Sequence, residues 1–139
     1  VFRNPPDQDT RALLVQARTI AVLGLSPKTV RPSHRVARRL QGWGYRVIPV
    51  RPAVSEVLGE RAYPRLEAVP ERIDIVNVFR AAGELDAIVR QCIELRLPAI
   101  WIQLGIVNEP AAERARAAGM FVVMDRCISV ERSRLLQAA

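Results

Sequence analysis

The sequence predicts a single three-layer α/β/α domain built on a five-stranded, mainly parallel sheet. Five short apolar runs recur along the chain, separated by segments with helical or turn signals. The runs are apolar nearly throughout rather than alternating, as strands covered on both faces are. With 139 residues, the chain is long enough for one well-formed core and short for two. The expected domain is residues 1–139, with 1–8 an irregular lead-in around Asn4-Pro5-Pro6.

Each element has a local reason. Asp9 can cap a short helix whose Leu13, Leu14 and Ala17 share a face. The first strand is Ile20–Leu23. Ser33 can cap the next helix, in which Val36, Ala37 and Leu40 recur at helical spacing, and Gly42 and Gly44 end it around Trp43. The second strand is Tyr45–Val50, closed by Pro52. Val54–Gly59 reads as a small excursion, a short helix or turn, and Arg65–Ala68 as a brief helical or looped piece. The third strand is Ile73–Val78. Leu85, Ile88, Val89, Cys92 and Ile93 then form the clearest amphipathic helix in the chain. Ala99–Gln103 is the fourth strand. Asn108 is expected to cap a helix around Pro110–Ala118 that stops at Gly119. Met120–Met124 is the fifth strand, and Ser129 or Asp125 is expected to open a last helix containing Leu135 and Leu136.

Composition narrows the function classes. Half of the residues are hydrophobic but only 5% are aromatic, which suits a small core of Ala, Val, Leu and Ile. Lys and Arg total 21 against 14 Asp and Glu, a formal charge of +7, and Lys28 is the single lysine. Such an excess favours an anionic partner without choosing among nucleic acid, a membrane surface and a phosphorylated metabolite. There is no zinc-finger spacing, no basic reading helix and no aromatic stacking array, so nucleic acid is the weaker alternative. No apolar run has transmembrane length, and VFRNPPDQDT does not read as a secretory signal. Cys92 and Cys127 do not make a disulfide framework. A cytoplasmic protein with reduced thiols and no membrane partner is expected.

Residues 20–33, IAVLGLSPKTVRPS, carry the functional signal. An apolar strand meets Gly24, then a small cationic turn with Ser26, Lys28, Arg31, Pro32 and Ser33, then a helix. This Rossmann-like opening is suited to phosphate, which backbone N–H groups and a helix N-terminus can face. The GxGxxG spacing of dinucleotide sites is missing, because only Gly24 is present. The second strand ends in Arg51 where an NAD site carries Asp or Glu, so NADP remains an alternative, and a 3′-phosphorylated adenosine also fits. In an open parallel sheet the other strand endings share this edge: Val50, Arg51 and Pro52; Asn77, Val78, Phe79 and Arg80; Gln103, Leu104, Gly105 and Ile106; and Asp125, Arg126 and Cys127. Arginines, amides and apolar groups together suit a ligand with phosphates and a planar base.

These segments carry a family resemblance. IAVLGLSPKTVRPSHRVARRL, GYRVIPVRP, VLGERAYPRL, IDIVNVFR, AIWIQLGIVNEPAAERARAAG and FVVMDRCISVERSRL together span nearly all of residues 20–135. The chain resembles the small stand-alone CoA-binding domain proteins, which are similar to the N-terminal CoA-binding domain of the succinyl-CoA synthetase alpha subunit. The resemblance implies that coenzyme A or an acyl-CoA is the ligand. It implies that Gly24, Ser26 and Lys28 lie near the CoA phosphates, with Arg31, Pro32 and Ser33 completing the turn. It implies that Val50, Arg51 and Pro52 lie beside the adenosine, Phe79 and Arg80 near the pantetheine or phosphate arm, and that Gln103, Leu104, Gly105 and Ile106 support the ligand. The chain departs from the family pattern at Arg51, often Asn or Ser in relatives, at His34, often Tyr, and in a shorter Ala53–Val57 loop.

No catalytic constellation is legible. His34 is the only histidine and reads as a capping or surface residue. There is no Walker A motif and no G-x-S-x-G elbow. Cys92 falls on an apolar helix stripe. Cys127, in MDRC, reads as a small side chain closing a turn, with a helix N-terminus and Arg126 as the features that would favour its thiolate. A non-catalytic binding or regulatory module is the expected function, with a protein partner left open.

Overall fold

The computed structural model describes residues 1–136, so the last three residues of the expected domain lie outside the described ones. Helix α1, Asp7–Gln16, precedes strand β1, Thr19–Leu23; α2, Pro32–Gly42, leads to β2, Arg46–Val50. A small hairpin follows, β3 Glu56–Val57 and β4 Glu60–Arg61, then a 3-10 turn at Leu66–Ala68 and β5, Ile75–Val78. A second 3-10 turn runs into α3, Leu85–Glu94, followed by β6, Ala99–Ile102, α4, Glu109–Ala117, β7, Phe121–Met124, and α5, Ile128–Leu135. The main sheet has five strands in the order β2-β1-β5-β6-β7, and every pairing in it is parallel.

The apolar strands bury alternate residues in two cores. Ala21, Leu23, Val76, Val78, Ile100 and Ile102 face a layer that includes Leu85, Val89 and Cys92 of α3 and Ala111, Ala112 and Ala115 of α4. Ile20, Val22, Ile75, Trp101 and Val123 face Leu14 of α1, Leu40 of α2 and Ile128 of α5. This is why the strands lack a polar face: each side of the sheet has its own helices. Each fully buried Val, Leu or Ile contributes about 1.5–3 kcal/mol relative to exposure. Three of the four alanines of α4, Ala111, Ala112 and Ala115, are fully buried and let that helix approach closely.

The element boundaries shift where polar groups act. Ile73 is buried but precedes β5, because Asp74 turns its carboxylate to accept from the N–H groups of Arg18 and Thr19 at 2.9 and 3.0 Å. Asn108 caps α4 as expected, accepting from the Ala111 N–H at 3.1 Å. The other expected caps are corrected. Pro6, not Asp9, precedes α1; Arg31, not Ser33, is the N-cap of α2, with Pro32 at the first helical position; and Cys127, not Ser129 or Asp125, is the N-cap of α5. The Val54–Gly59 excursion is not a helix but part of the β3–β4 hairpin. Its turn places Leu58 at φ 54° and Gly59 at φ 76°, the paired left-handed geometry of a tight hairpin.

At the outer edge, β7 pairs only with β6. The Asn4 side chain lies along its other side, donating to the Met124 carbonyl at 2.9 Å and accepting from the Met124 N–H at 2.8 Å.

Candidate ligand site at the carboxyl edge of the sheet

The strand order places β1 between β2 and β5, so the chain leaves β1 toward one side and later strands are added on the other. Ligands of open α/β sheets bind outside the carboxyl ends at such a switch point. Here the strand endings are tied together. The Gly24 N–H donates to the Val50 carbonyl and the Phe79 N–H to the Leu23 carbonyl, each at 2.9 Å. Gly24 has φ +83°, and a Cβ added there would lie 2.5 Å from the Phe79 carbonyl oxygen. Gly24 is therefore required by the contact between two strand endings, before any ligand is considered.

The turn after β1 is locked by its own serines. Ser33 Oγ accepts from the Ser26 N–H at 3.0 Å, and Ser26 Oγ accepts from the Lys28 N–H at 3.1 Å. The Arg31 N–H donates back to the Lys28 carbonyl at 3.1 Å. Pro27 and Pro32 have no N–H to give. Within the turn, Thr29, Val30 and Ser33 keep backbone N–H groups without a protein partner among the described residues. These N–H groups, with the side chains of Lys28 and Arg31, are what the turn can offer an anion. Arg51 bends over the turn, donating to the Gly24 carbonyl at 3.3 Å. Among the described residues, neither Lys28, Arg31 nor Arg51 has a carboxylate partner.

Three adjoining cavities run along this edge. The first, about 350 Å³, is lined by Gly24, Ser26, Lys28, Arg31, Pro32, Ser33, Arg51 and Phe79. The second, about 190 Å³, shares Gly24 with it and adds Val50, Pro52 and Arg80. The third, about 490 Å³, shares Pro32 and Phe79 with the first and Arg80 with the second. It is walled by Gln103, Leu104 and Ile106, together with Val36, Ala81 and Cys127. Every expected site residue except Gly105 lines one of the three. Gly105 instead holds the turn after β6, its N–H donating to Asp125 Oδ1 at 2.8 Å. Val36 and Cys127 were read as a core residue and a turn residue; their shared cavity forms only when α2 and α5 meet at the β6 ending.

Other polar residues of these endings turn inward. Asn77 is fully buried, donating to the Trp101 carbonyl at 3.3 Å and to Gln103 Oε1 at 3.2 Å, while its own Oδ1 has no partner. His34 is buried near the start of α2 and lines none of the three cavities, which corrects its reading as a surface or capping residue.

Charge is distributed unevenly along the edge. Arg80 is held by Glu84, at 2.6 Å from Nη2, and this hydrogen bond holds the Glu84 carboxyl below its usual range. Burial raises the pKa of Cys127, but hydrogen bonds from the Ser129 hydroxyl, the Val130 N–H and Gln103 outweigh it and leave the thiol below its usual value. Cys92 is pushed up to about 12 by burial. A larger cavity of about 570 Å³ lies beside β7 and α5, where Arg126 and Asp125 fall. Its Arg134 is already paired with Asp7 and Glu131, at 2.8 Å each. Among the described residues, no group of three His, Cys, Asp or Glu could hold a metal ion, and no helix is long and apolar enough to cross a membrane.

A doubly wound sheet with this switch-point edge defines the class, a Rossmann-like nucleotide-binding domain. The chain belongs to the CoA binding domain family, whose sequence pattern matches residues 18–133. It is similar to the Bacillus subtilis (strain 168) protein YneT, 39% identical over 129 residues, which cover 93% of this chain and 96% of that protein. A solved structure from Thermus thermophilus superposes with a TM-score of 0.90 at 41% identity, covering 94% of this chain and 99% of that one. A more distant likeness runs to the ADP-forming acetate–CoA ligase I of Archaeoglobus fulgidus, 27% identical over 79 residues, 57% of this chain and 12% of the ligase. The wider kinship is therefore with domains of ADP-forming acyl-CoA synthetases, and not specifically with the succinyl-CoA synthetase alpha subunit.

Proposed function

We propose that the protein binds coenzyme A, or a short acyl-CoA, across the carboxyl edge of the sheet and acts as a non-catalytic binding or regulatory module in the cytoplasm. The observation that carries this reading is the continuity of a cationic cavity with a mainly apolar one through Pro32 and Phe79. Coenzyme A has that distribution: a phosphorylated nucleotide at one end and an uncharged pantetheine arm at the other. The donor set fits it. Lys28 and Arg31, with the hydroxyls of Ser26 and Ser33, would hold the diphosphate. Arg51 would meet the 3′-phosphate, with Val50 and Pro52 beside the adenosine. Phe79 and Arg80 would flank the arm, and Gln103, Leu104 and Ile106 would receive its end, with Gly105 shaping their turn.

Calorimetry of the purified chain with CoA, dephospho-CoA, acetyl-CoA, NADP and ADP tests the proposal. CoA and acetyl-CoA should bind more tightly than the other three. Tighter binding of NADP would overturn it in favour of a dinucleotide. Salt-sensitive binding to DNA that exceeds CoA binding would move the protein to the nucleic-acid class.

A further inference from the structure

The third cavity is suited to covering a hydrocarbon. Its wall takes Val36 from α2, Phe79 and Ala81 from beyond β5, and Leu104 and Ile106 from the turn after β6. Arg80 is the single charged residue that lines it, and Glu84 holds that guanidinium at 2.6 Å. The unpaired cations of the edge, Lys28, Arg31 and Arg51, line the first cavity and not this one. The second observation is Leu104, which lines the cavity and is still 62% exposed. Its turn is firmly held. The Ile106 N–H closes it on the Gln103 carbonyl at 3.1 Å, and Gly105 takes φ +86°, as the third residue of a type II turn does. The Gly105 N–H is clamped to Asp125 Oδ1 at 2.8 Å, with Asp125 itself at φ 60°, in the left-handed region. Leu104 is thereby fixed at the second position of the turn. A large apolar side chain held there stays hydrated until something apolar covers it.

We propose that the third cavity is an acyl subsite, which takes an uncharged aliphatic acyl group of the butyryl class on the sulfur of coenzyme A and disfavours a dicarboxylic one such as succinyl. This rests on the CoA reading above and narrows it to a class of thioester. A coenzyme anchored by its phosphates in the first cavity would pass Pro32 and Phe79, which the two cavities share, and place whatever its sulfur carries against Leu104 and Ile106. The thiol of the free coenzyme leaves those side chains wet. A chain of methylenes covers them, and each methylene buried raises affinity about three- to fourfold. A terminal carboxylate in the same place would lose its water and find no free cation, because Glu84 already neutralises Arg80. The cavity therefore separates two acyl groups of equal carbon number by what stands at the far end, a methyl or a carboxylate.

The test is calorimetry of the purified chain with CoA, acetyl-CoA, butyryl-CoA and succinyl-CoA at near-physiological salt. Butyryl-CoA should bind about tenfold more tightly than acetyl-CoA, because two further methylenes are covered. Succinyl-CoA should bind no more tightly than acetyl-CoA. In Leu104→Ser the ratio of butyryl-CoA to acetyl-CoA affinity should fall about threefold or more. The ligand series on the unaltered chain decides the case if that variant fails to fold. Equal affinities for acetyl-CoA and butyryl-CoA would overturn this inference alone, with the acyl group lying in solvent and the CoA reading intact. Succinyl-CoA binding as tightly as butyryl-CoA would also overturn it, by showing a cation ready for the free carboxylate. A folded Leu104→Ser protein that keeps the full ratio would overturn it as well, since the chain would then lie elsewhere. No binding of CoA or of any of its thioesters would bring down the CoA reading too.

Discussion

Strand β2 has an arginine at each end, and the molecule treats the two in opposite ways. Arg46, at its start, is clasped by two carboxylates, with Glu71 and Glu60 each at 2.7 Å. The guanidinium of Arg51, just past its end, donates among the described residues only to the Gly24 carbonyl, at 3.3 Å. The primary structure explains the difference. No acidic residue occurs between Asp9 and Glu56, so Lys28, Arg31 and Arg51 have no carboxylate nearby in sequence. The fold brings Glu60 and Glu71 to the amino end of β2, whereas Glu84, which lines a cavity at the carboxyl end, is taken by Arg80. A neutralised arginine serves the frame. Uncompensated cations repel one another, and an arriving anion relieves that repulsion.

The comparison can be broken most severely at Gly24, on which Arg51 leans. Gly24→Val imposes a left-handed backbone on a branched residue and drives a side chain into the Phe79 carbonyl, at a cost on the order of 3 kcal/mol or more. Urea denaturation should show a large fall in the midpoint; an unchanged midpoint would mean that the β1 and β5 endings are not pressed together. Lost CoA binding in this variant would reflect the frame rather than a missing ligand contact.

The second prediction separates the two arginines. Arg51→Ala should weaken CoA binding by about 1–2 kcal/mol, roughly 5–30-fold, and barely change dephospho-CoA binding. Arg46→Ala should leave both affinities unchanged and cost under about 1 kcal/mol of stability, as exposed ion pairs do. Equal losses for the two ligands in Arg51→Ala would remove its assignment to the 3′-phosphate.

Arg80 lies between these extremes, facing two cavities while held by Glu84. Glu84→Gln should release it and tighten CoA binding about two- to threefold at low salt, an advantage that fades as salt rises. Weaker binding by this variant would show that Glu84 positions Arg80 rather than restraining it.

The smallest effect is with pH. The Arg46 hydrogen bond holds the Glu71 carboxyl below its usual range. A depressed folded-state pKa gives stability that is present above the unfolded carboxylate value, about 4.3, and is lost as pH falls through the lower folded value. The stability gap between the unaltered chain and Arg46→Ala should therefore persist at neutral pH and close in acid. A gap independent of pH would point to lost packing of the arginine stem instead.

The five strands were legible because their apolar runs are dictated by burial on two faces, a pattern that local reading captures. The caps were less legible. Ser33 has the chemistry of a cap, but its hydroxyl serves the Ser26 N–H across the turn, and Pro32 already fixes the start of α2. The β3–β4 hairpin escaped notice because Leu58 occupies a left-handed position for which leucine gives no signal. The grouping of expected site residues followed from strand order. What sequence could not supply was the pairing state of each arginine. Arg46 finds Glu71 25 residues away, and Arg134 finds Asp7 127 residues away. The thiol-bearing cavity was hidden for the same reason, since α2, β6 and α5 each supply part of its wall.

The single amide of Asn4 has a consequence for solution behaviour. A bare outer strand is a template on which the strand of another chain can add, and repeated addition leads to fibres or precipitate. By occupying both the N–H and the carbonyl of Met124, Asn4 takes the place that an invading strand would use first. Asn4→Ala should therefore lower the concentration at which the protein begins to aggregate, read by light scattering, and an unchanged threshold would show that this edge is not what an added strand would use.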